Sequence, residues 1–330
     1  MKRVTIYDVA KDANVSLATV SRVINGSDVV RNATRLKVEE SIERLGYKPN
    51  AIAQGLALSK TTTIGLVIPE ASFTYVGQVI NGLLDVAKIY NYNIILHTTT
   101  EGITDINEIV DDIIKSRVDG VVIYNDKLLN EEMSLLSKYN IPIVIIGNRI
   151  SGEGVCSVFV DIEKAVFELV DSYLKKGVTD IAILEDRKNA YAVEQMIKGA
   201  KAAFDNHNLE FDNLIEIPTE YRTTYKYLRH YFKDHSHQLV IANRDSQAMA
   251  VLNGASENGI KVPEDLEIVC AIDTKYNSMV RPEISSFSIP SYDLGAVSMR
   301  VLTKMLQDDE IEDKEKKLSF LYTPRHSTKN

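Results

Sequence analysis

After residue 62 the chain alternates short runs of β-branched and other apolar residues with longer stretches of helical periodicity, and few folds accept that order. The apolar runs fall at 64–68, 93–97, 120–124, 141–146, 155–160, 180–184, 238–242 and 267–272. Helical patterns lie near 75–90, 104–116, 130–139, 162–177, 190–208, 222–234, 245–259 and 291–307. Runs this short and this uniformly apolar suit strands buried on both faces, and a helix between successive strands supplies the crossover that a parallel pair needs. The order repeats about a midpoint near Asp161. The reading is an α/β body of two similar lobes with parallel sheets.

Residues 5–46 follow a different rule. Ile6, Val9, Ala10 and Ala13 have the i, i+3, i+4, i+7 spacing of one buried helical face. Asn14, tolerant of left-handed geometry, stands where the chain must turn, and Ser16 is placed to cap a second helix with inner face Val20, Val23 and Ile24. Gly26 ends that helix. A third buries Val38, Ile42 and Leu45, with Gly46 at its left-handed C-cap. From Pro49 to Leu58 comes one more helical segment, too short to be stable alone and weakened by Gly55; Lys60-Thr61-Thr62-Thr63 follows as a linker.

Charge divides along the same line. Residues 1–60 carry ten Lys/Arg against six Asp/Glu, whereas residues 61–330 carry 28 against 40, so a basic head sits on an acidic body and only the head suits a polyanion. No apolar run approaches the roughly 20 residues that a membrane span requires, and Asp8, Lys11 and Asp12 interrupt any secretory core near the start. With Cys156 and Cys270 each inside an apolar run, the expected compartment is the reducing cytoplasm, and neither a zinc site nor a cofactor is expected. Phosphate-loop, dinucleotide, serine-hydrolase and zinc-peptidase motifs are missing from the sequence, and His235 and His237 read as decoration of a polar loop rather than metal ligands. The reading is a non-enzyme.

With Val20, Val23 and Ile24 turned inward, the second helix presents Leu17, Ala18, Ser21, Arg22 and Asn25 outward. Small, polar and cationic side chains in that arrangement can approach base edges, and Arg22 is suited to a bidentate guanine contact. Two helices joined by a tight turn with such an outer face constitute a helix-turn-helix; the alternative is a three-helix packing module without a nucleic-acid role.

Val4-Thr5-Ile6-Tyr7-Asp8-Val9-Ala10 and Val15-Ser16-Leu17-Ala18-Thr19-Val20-Ser21-Arg22-Val23-Ile24-Asn25 resemble the head of the lactose-repressor and galactose-repressor family. The likeness continues through Glu43 to Leu56, through Lys60 to Gly65, and over the double α/β body. It implies an all-α helix-turn-helix head at 1–48 and a hinge helix and linker at 49–62. It also implies a two-lobed core similar to periplasmic binding proteins, with one lobe from 63–160 and 291–320 and the other from 161–290 and 321–330. By that resemblance Leu56 is an apolar wedge in the minor groove, Ala53 lies beside it, and Asn50 opens the DNA-facing hinge. Thr5, Ser16 and Thr19 bind phosphates, and two heads on a two-fold axis take a near-palindromic operator as a homodimer. The hinge then folds only when two copies meet on DNA, so an effector that alters how the core holds its linkers sets operator affinity.

The family's effectors occupy the cleft between lobes. Asp245, Asp273 and Arg149 match cleft positions, although each equally fits a cap or a surface charge. The effector-clamping arginine of the family, three residues before the glycine matching Gly199, is Met196 here, and the chain has no Trp to stack on a sugar. Lys88 to Leu96, Ser278 to Pro282 and Tyr292 to Lys304 resemble the catabolite-control subgroup, whose corepressor is the serine-phosphorylated phosphocarrier HPr. For that partner the resemblance points to Tyr292, Asp293, Ala296, Val297, Arg300 and Lys304 on one helix, with Tyr90 and Tyr92 as aromatic anchors. Tyr292, Ala296, Arg300 and Lys304 at i, i+4 spacing make an apolar landing strip ending in two cations. A repressor answering to a small sugar, phosphosugar or other metabolite in the cleft is the alternative.

Overall fold

The computed structural model describes residues 4–48, 61–68, 74–98, 106–124, 136–186 and 190–329. The chain divides into two compact units, Met1–Thr62 and Thr63–Asn330.

In the first unit, α1 (Ile6–Asp12), α2 (Leu17–Ile24) and α3 (Asn32–Leu45) pack around Val9, Ala10, Val20, Val23 and Val38. Ile6, Ala13, Ile24, Ile42 and Leu45 line this small core without being fully enclosed. Local chemistry sets the boundaries. The Thr5 backbone N–H and hydroxyl both donate to Asp8 Oδ2, at 2.8 and 2.7 Å, closing the start of α1. Asn14 takes φ 52° between α1 and α2, Ser16 Oγ accepts from the Thr19 N–H at 3.2 Å, and Gly26 and Gly46 take φ of 71° and 63° after α2 and α3. Gly26 and Gly46 take that left-handed geometry without a Cβ clash, and Asn is among the few other residues that adopt it.

The second unit holds two six-stranded sheets. In chain order its strands are β1 (Thr63–Ile68), β2 (Asn93–Thr98), β3 (Gly120–Ile123), β4 (Ile143–Ile146), β5 (Val155–Val160) and β6 (Ile181–Glu185). Then come β7 (Leu214–Glu216), β8 (Leu239–Ala242), β9 (Glu267–Cys270), β10 (Ser285–Ser288), β11 (Glu315–Leu318) and β12 (Leu321–Thr323). The first sheet runs β11-β5-β4-β3-β1-β2 and is parallel throughout. The second runs β12-β10-β9-β8-β6-β7, parallel except for the edge strand β12, which is antiparallel to β10. β3, β4 and β8 are buried along their whole length, as their apolar runs lead one to expect, and so is β9 although it opens with Glu267.

Helices cover both faces: α4 (Thr74–Ile89), α5 (Ile106–Lys115), α6 (Ile162–Lys175), α7 (Ala190–Asn206), α8 (Tyr221–Tyr231), α9 (Asp245–Ser256), α10 (Lys275–Met279) and α11 (Ser291–Leu306). Most of the helical pattern expected at 130–139 lies outside the described residues. The chain passes between sheets three times: after β5 into α6, after β10 into α11, which packs on the first sheet's side, and between β11 and β12. α4 and α11 touch through glycine. A Cβ on Gly295 would lie 1.9 Å from the Val79 carbonyl oxygen, and one on Gly82 would lie 2.0 Å from that of Tyr292. The other lobe repeats the device, with Gly199 of α7 against the Glu163 carbonyl of α6 at 2.2 Å.

Candidate nucleic-acid interface and regulatory surfaces

Val20 and Val23 fix the orientation of α2 by burial. Leu17, Ala18, Arg22 and Asn25 are consequently exposed and Ser21 is half-buried, its hydroxyl within 3.4 Å of the Asn25 amide. No described residue forms an ion pair with Arg22, which leaves its five donors free for an external acceptor. At the start of α2 the Ser16 and Thr19 hydroxyls lie 2.9 Å apart, and Thr5 occupies the equivalent place before α1. Exposed Tyr7 on the first turn of α1 joins these candidates; it was legible only as a residue outside the inner-face spacing.

The helices are braced from beneath. Asp12 at the end of α1 accepts from Ser41 Oγ at 2.5 Å and from Arg44, both on α3. The Ser41 hydrogen bond, followed by the Arg44 pairing, holds the Asp12 carboxyl below the ordinary aspartate range. Arg35 Nη2 donates to the Ser27 carbonyl at 2.7 Å and fixes the turn after α2. Asn50, Ala53 and Leu56 lie outside the described residues.

On α11, Tyr292, Asp293, Arg300 and Lys304 are exposed and Val297 is half-buried. Ala296 corrects the expected landing strip: it is buried, because the Gly82–Gly295 approach brings α4 over that side of α11. The open ridge is therefore polar, with exposed Leu84 and Ile89 supplying apolar surface on neighbouring α4. Tyr292 donates to Asp85 Oδ2 at 2.9 Å, and that bond raises the phenol's pKa. Asp85 escaped sequence reasoning because the two residues are 207 positions apart. Tyr90 is exposed, whereas Tyr92 packs half-buried on the first lobe's core, where burial raises its pKa.

The carboxyl ends of the parallel strands are where such sheets accept ligands. Arg149, just past β4, pairs through Nε with Glu315 Oε2 at 2.6 Å, and its backbone N–H donates across the lobes to the Tyr191 hydroxyl at 3.3 Å. Asp245 opens α9 and accepts from Thr274 Oγ1 at 2.7 Å. Burial alone would raise the Asp273 carboxyl, but donors from Arg325 at 2.7 Å and Ser286 at 2.8 Å hold it below its ordinary value. All three charges thus have partners within the chain. A buried ion pair there was not anticipated: Arg244 pairs with Asp186, which also accepts from Gln247 Nε2 at 2.7 Å. Asn148, two residues past β4, is buried with no described partner for its Oδ1. Met196 belongs to the second lobe's apolar core. His237 bridges Asp180 and the Tyr231 hydroxyl, each at 2.7 Å, and among the described residues no cluster of three metal-binding side chains occurs.

Residues 5–50 match the bacterial regulatory proteins, lacI family, and residues 170–328 match the periplasmic binding protein-like domain. Catabolite control protein A of Staphylococcus epidermidis is 36% identical over 315 residues, covering 94% of this chain and 94% of the relative. The crystal structure of the transcription regulator CcpA of Lactococcus lactis superposes with a TM-score of 0.71 at 26% identity, over 81% of this chain and 99% of that one. The lac repressor dimer bound to operator and the anti-inducer ONPF gives 0.86 at 22% identity over 99% of each chain, a likeness of fold. With an outward-facing polar α2 on a three-helix head, a two-lobed α/β core, and this identity over nearly its whole length, the chain belongs to the lacI family of bacterial regulatory proteins and is a DNA-binding transcription regulator similar to catabolite control protein A.

Proposed function

We propose that the protein regulates carbon catabolite genes in the cytoplasm, binding a near-palindromic operator as a homodimer whose affinity rises with serine-phosphorylated HPr. The observation that carries the corepressor reading is the pair Arg300 and Lys304, exposed one turn apart on α11 and lacking an ion-pair partner among the described residues. A phosphoserine dianion fits two such cations by charge-assisted hydrogen bonds. Tyr292, held by Asp85, and exposed Tyr90 supply aromatic anchors, with Asp293 and Val297 at the border.

In this reading Arg22 and its neighbours Leu17, Ala18, Ser21 and Asn25 read the major groove. Thr5, Ser16 and Thr19 hold phosphates, and Asn50, Ala53 and Leu56 act in the minor groove. The head spans 1–48 and the hinge 49–62, with core lobes of 63–160 plus 291–320 and 161–290 plus 321–330. Exposed Leu84, Ile89, Ile95 and Leu96, on α4 and the sheet-edge strand β2, support self-association of the first lobe.

A fluorescence anisotropy titration of an operator duplex at fixed salt, with and without serine-phosphorylated HPr, tests the reading. Tightening by the phosphorylated partner is expected, and Arg300→Ala should abolish it while basal binding persists. The free Oδ1 of buried Asn148 favours a second reading, a small neutral ligand between the lobes; operator binding that ignores HPr but answers to such a metabolite would select it.

A further inference from the structure

We propose that the outer face of α8 docks the acidic segment 308–313 of a second copy of this chain. Within its span α8 carries Arg222, Lys226, Arg229 and His230 and no carboxylate; Glu220 stands at its N-cap, and Lys233 lies just beyond its end, followed by Asp234. Thr224 and Leu228 turn inward, so at about 100° per residue Arg222 and Lys226 share an outward face with Arg229 at its border, and Lys233, two residues past the end of α8, continues it; all four are exposed. Cations four residues apart weaken a helix, so the stripe does not serve the stability of α8.

The chemistry this surface selects is visible on its flank. Glu257, the C-cap of α9, accepts from Arg229 Nε at 2.6 Å through one oxygen and from the Tyr225 hydroxyl through the other. α8 therefore already holds one carboxylate between a cation and a phenol. No described carboxylate pairs with Arg222, Lys226 or Lys233, and beside them exposed Tyr227 is stiffened by stacking on Tyr231 at 6.2 Å.

The complement is on the same chain. Asp308, Asp309, Glu310, Glu312 and Asp313 link α11 to β11 in irregular backbone, all exposed and none in an ion pair among the described residues. From Arg222 to Lys233 the stripe rises about 16 Å, and the five steps of the acidic segment reach at most about 18 Å. Each copy carries a net charge of −8, but at physiological salt the Debye length is about 8 Å, so charges in direct apposition outweigh that distant repulsion. Because the two surfaces differ, the contact is heterologous and links copies head to tail. It takes the proposed homodimer as its starting species and depends on neither the operator nor the corepressor reading.

Sedimentation velocity of the full chain over a wide concentration range, at low and high salt, tests this. The expected result is a sedimentation coefficient above the dimer value that climbs with concentration at low salt and ceases to climb at high salt. Lys226→Glu with Lys233→Glu should remove the climb, as should Asp309→Lys with Glu312→Lys. An equimolar mixture of those two variants should restore it, since each then presents the charge the other lacks. All four positions are exposed, and unchanged circular dichroism separates lost docking from lost folding. No climb in the natural chain, a climb indifferent to both variants, or no recovery in the mixture would overturn the proposal. A climb seen only when non-operator duplex is added would assign the stripe to a polyanion instead.

Discussion

The Tyr292 hydroxyl donates to Asp85 Oδ2 at 2.9 Å, joining the first turn of α11 to the C-terminal part of α4 beside the cations of the proposed corepressor surface. Tyr292→Phe removes that exposed bond and keeps the ring. Thermal unfolding should barely change, while the stimulation of operator binding by serine-phosphorylated HPr should fall several-fold. Equal stimulation of both proteins would take Tyr292 out of the surface.

Close approach of α4 and α11 makes glycine a steric requirement at one position and a dispensable residue at another. Gly295→Ala drives a Cβ into the Val79 carbonyl and should destabilise the core unit by about 1–3 kcal/mol. At Gly77, on the same helix pair, a Cβ meets nothing within 4 Å, so Gly77→Ala should be neutral or stabilise by up to about 1 kcal/mol. Denaturant titration of the two variants checks the contrast.

Asp12 gives the head an acid-sensitive brace. Its carboxyl is held below the ordinary aspartate range by Ser41 and then Arg44. A group depressed on folding contributes stability that is present above its unfolded pKa and is lost as pH falls through the folded value. The stability of the head, followed below pH 4, should therefore decline less steeply in Asp12→Asn than in the natural protein, from a lower starting value at neutral pH. Parallel curves would show that the brace contributes nothing.

Arg22→Ala should cost about 1–3 kcal/mol of operator affinity and relax preference at one base position in each half-site. Competition binding against a set of single-base operator variants measures this. A uniform loss over all variants would identify Arg22 as a phosphate contact.

Features governed by neighbouring residues were legible in the sequence. Asn14, Ser16, Gly26 and Gly46 announce turns and caps through their own backbone preferences, and the runs at 64–68 and 238–242 announce strands through continuous apolarity. β10 and β11 were not legible, because Ser285-Ser286-Phe287-Ser288 and Glu315-Lys316-Lys317-Leu318 lack a strand's composition. The first owes its place to the ladder and to tail contacts such as the Ser285 N–H donating to Ser327 Oγ at 2.8 Å. In the candidate sites, i, i+4 spacing aligned Ala296 with Arg300, but nothing local told that Gly82 would admit a helix over it. Arg244 and Asp186 meet across 58 residues, a relation that exists only after the sheet has formed.

The three passages between the sheets also dictate an order of assembly. During synthesis from the amino end, strands β1 to β5 emerge early, yet α11 and the edge strand β11 follow only after every strand of the second sheet except β12. Until then the first sheet has an open edge at β5 and an uncovered apolar face where Leu294, Met299 and Leu302 will pack. Between the completion of β5 at Val160 and the arrival of α11 at Ser291, the nascent first lobe therefore exposes an unpaired strand edge and apolar surface, the features that make a folding intermediate prone to aggregate.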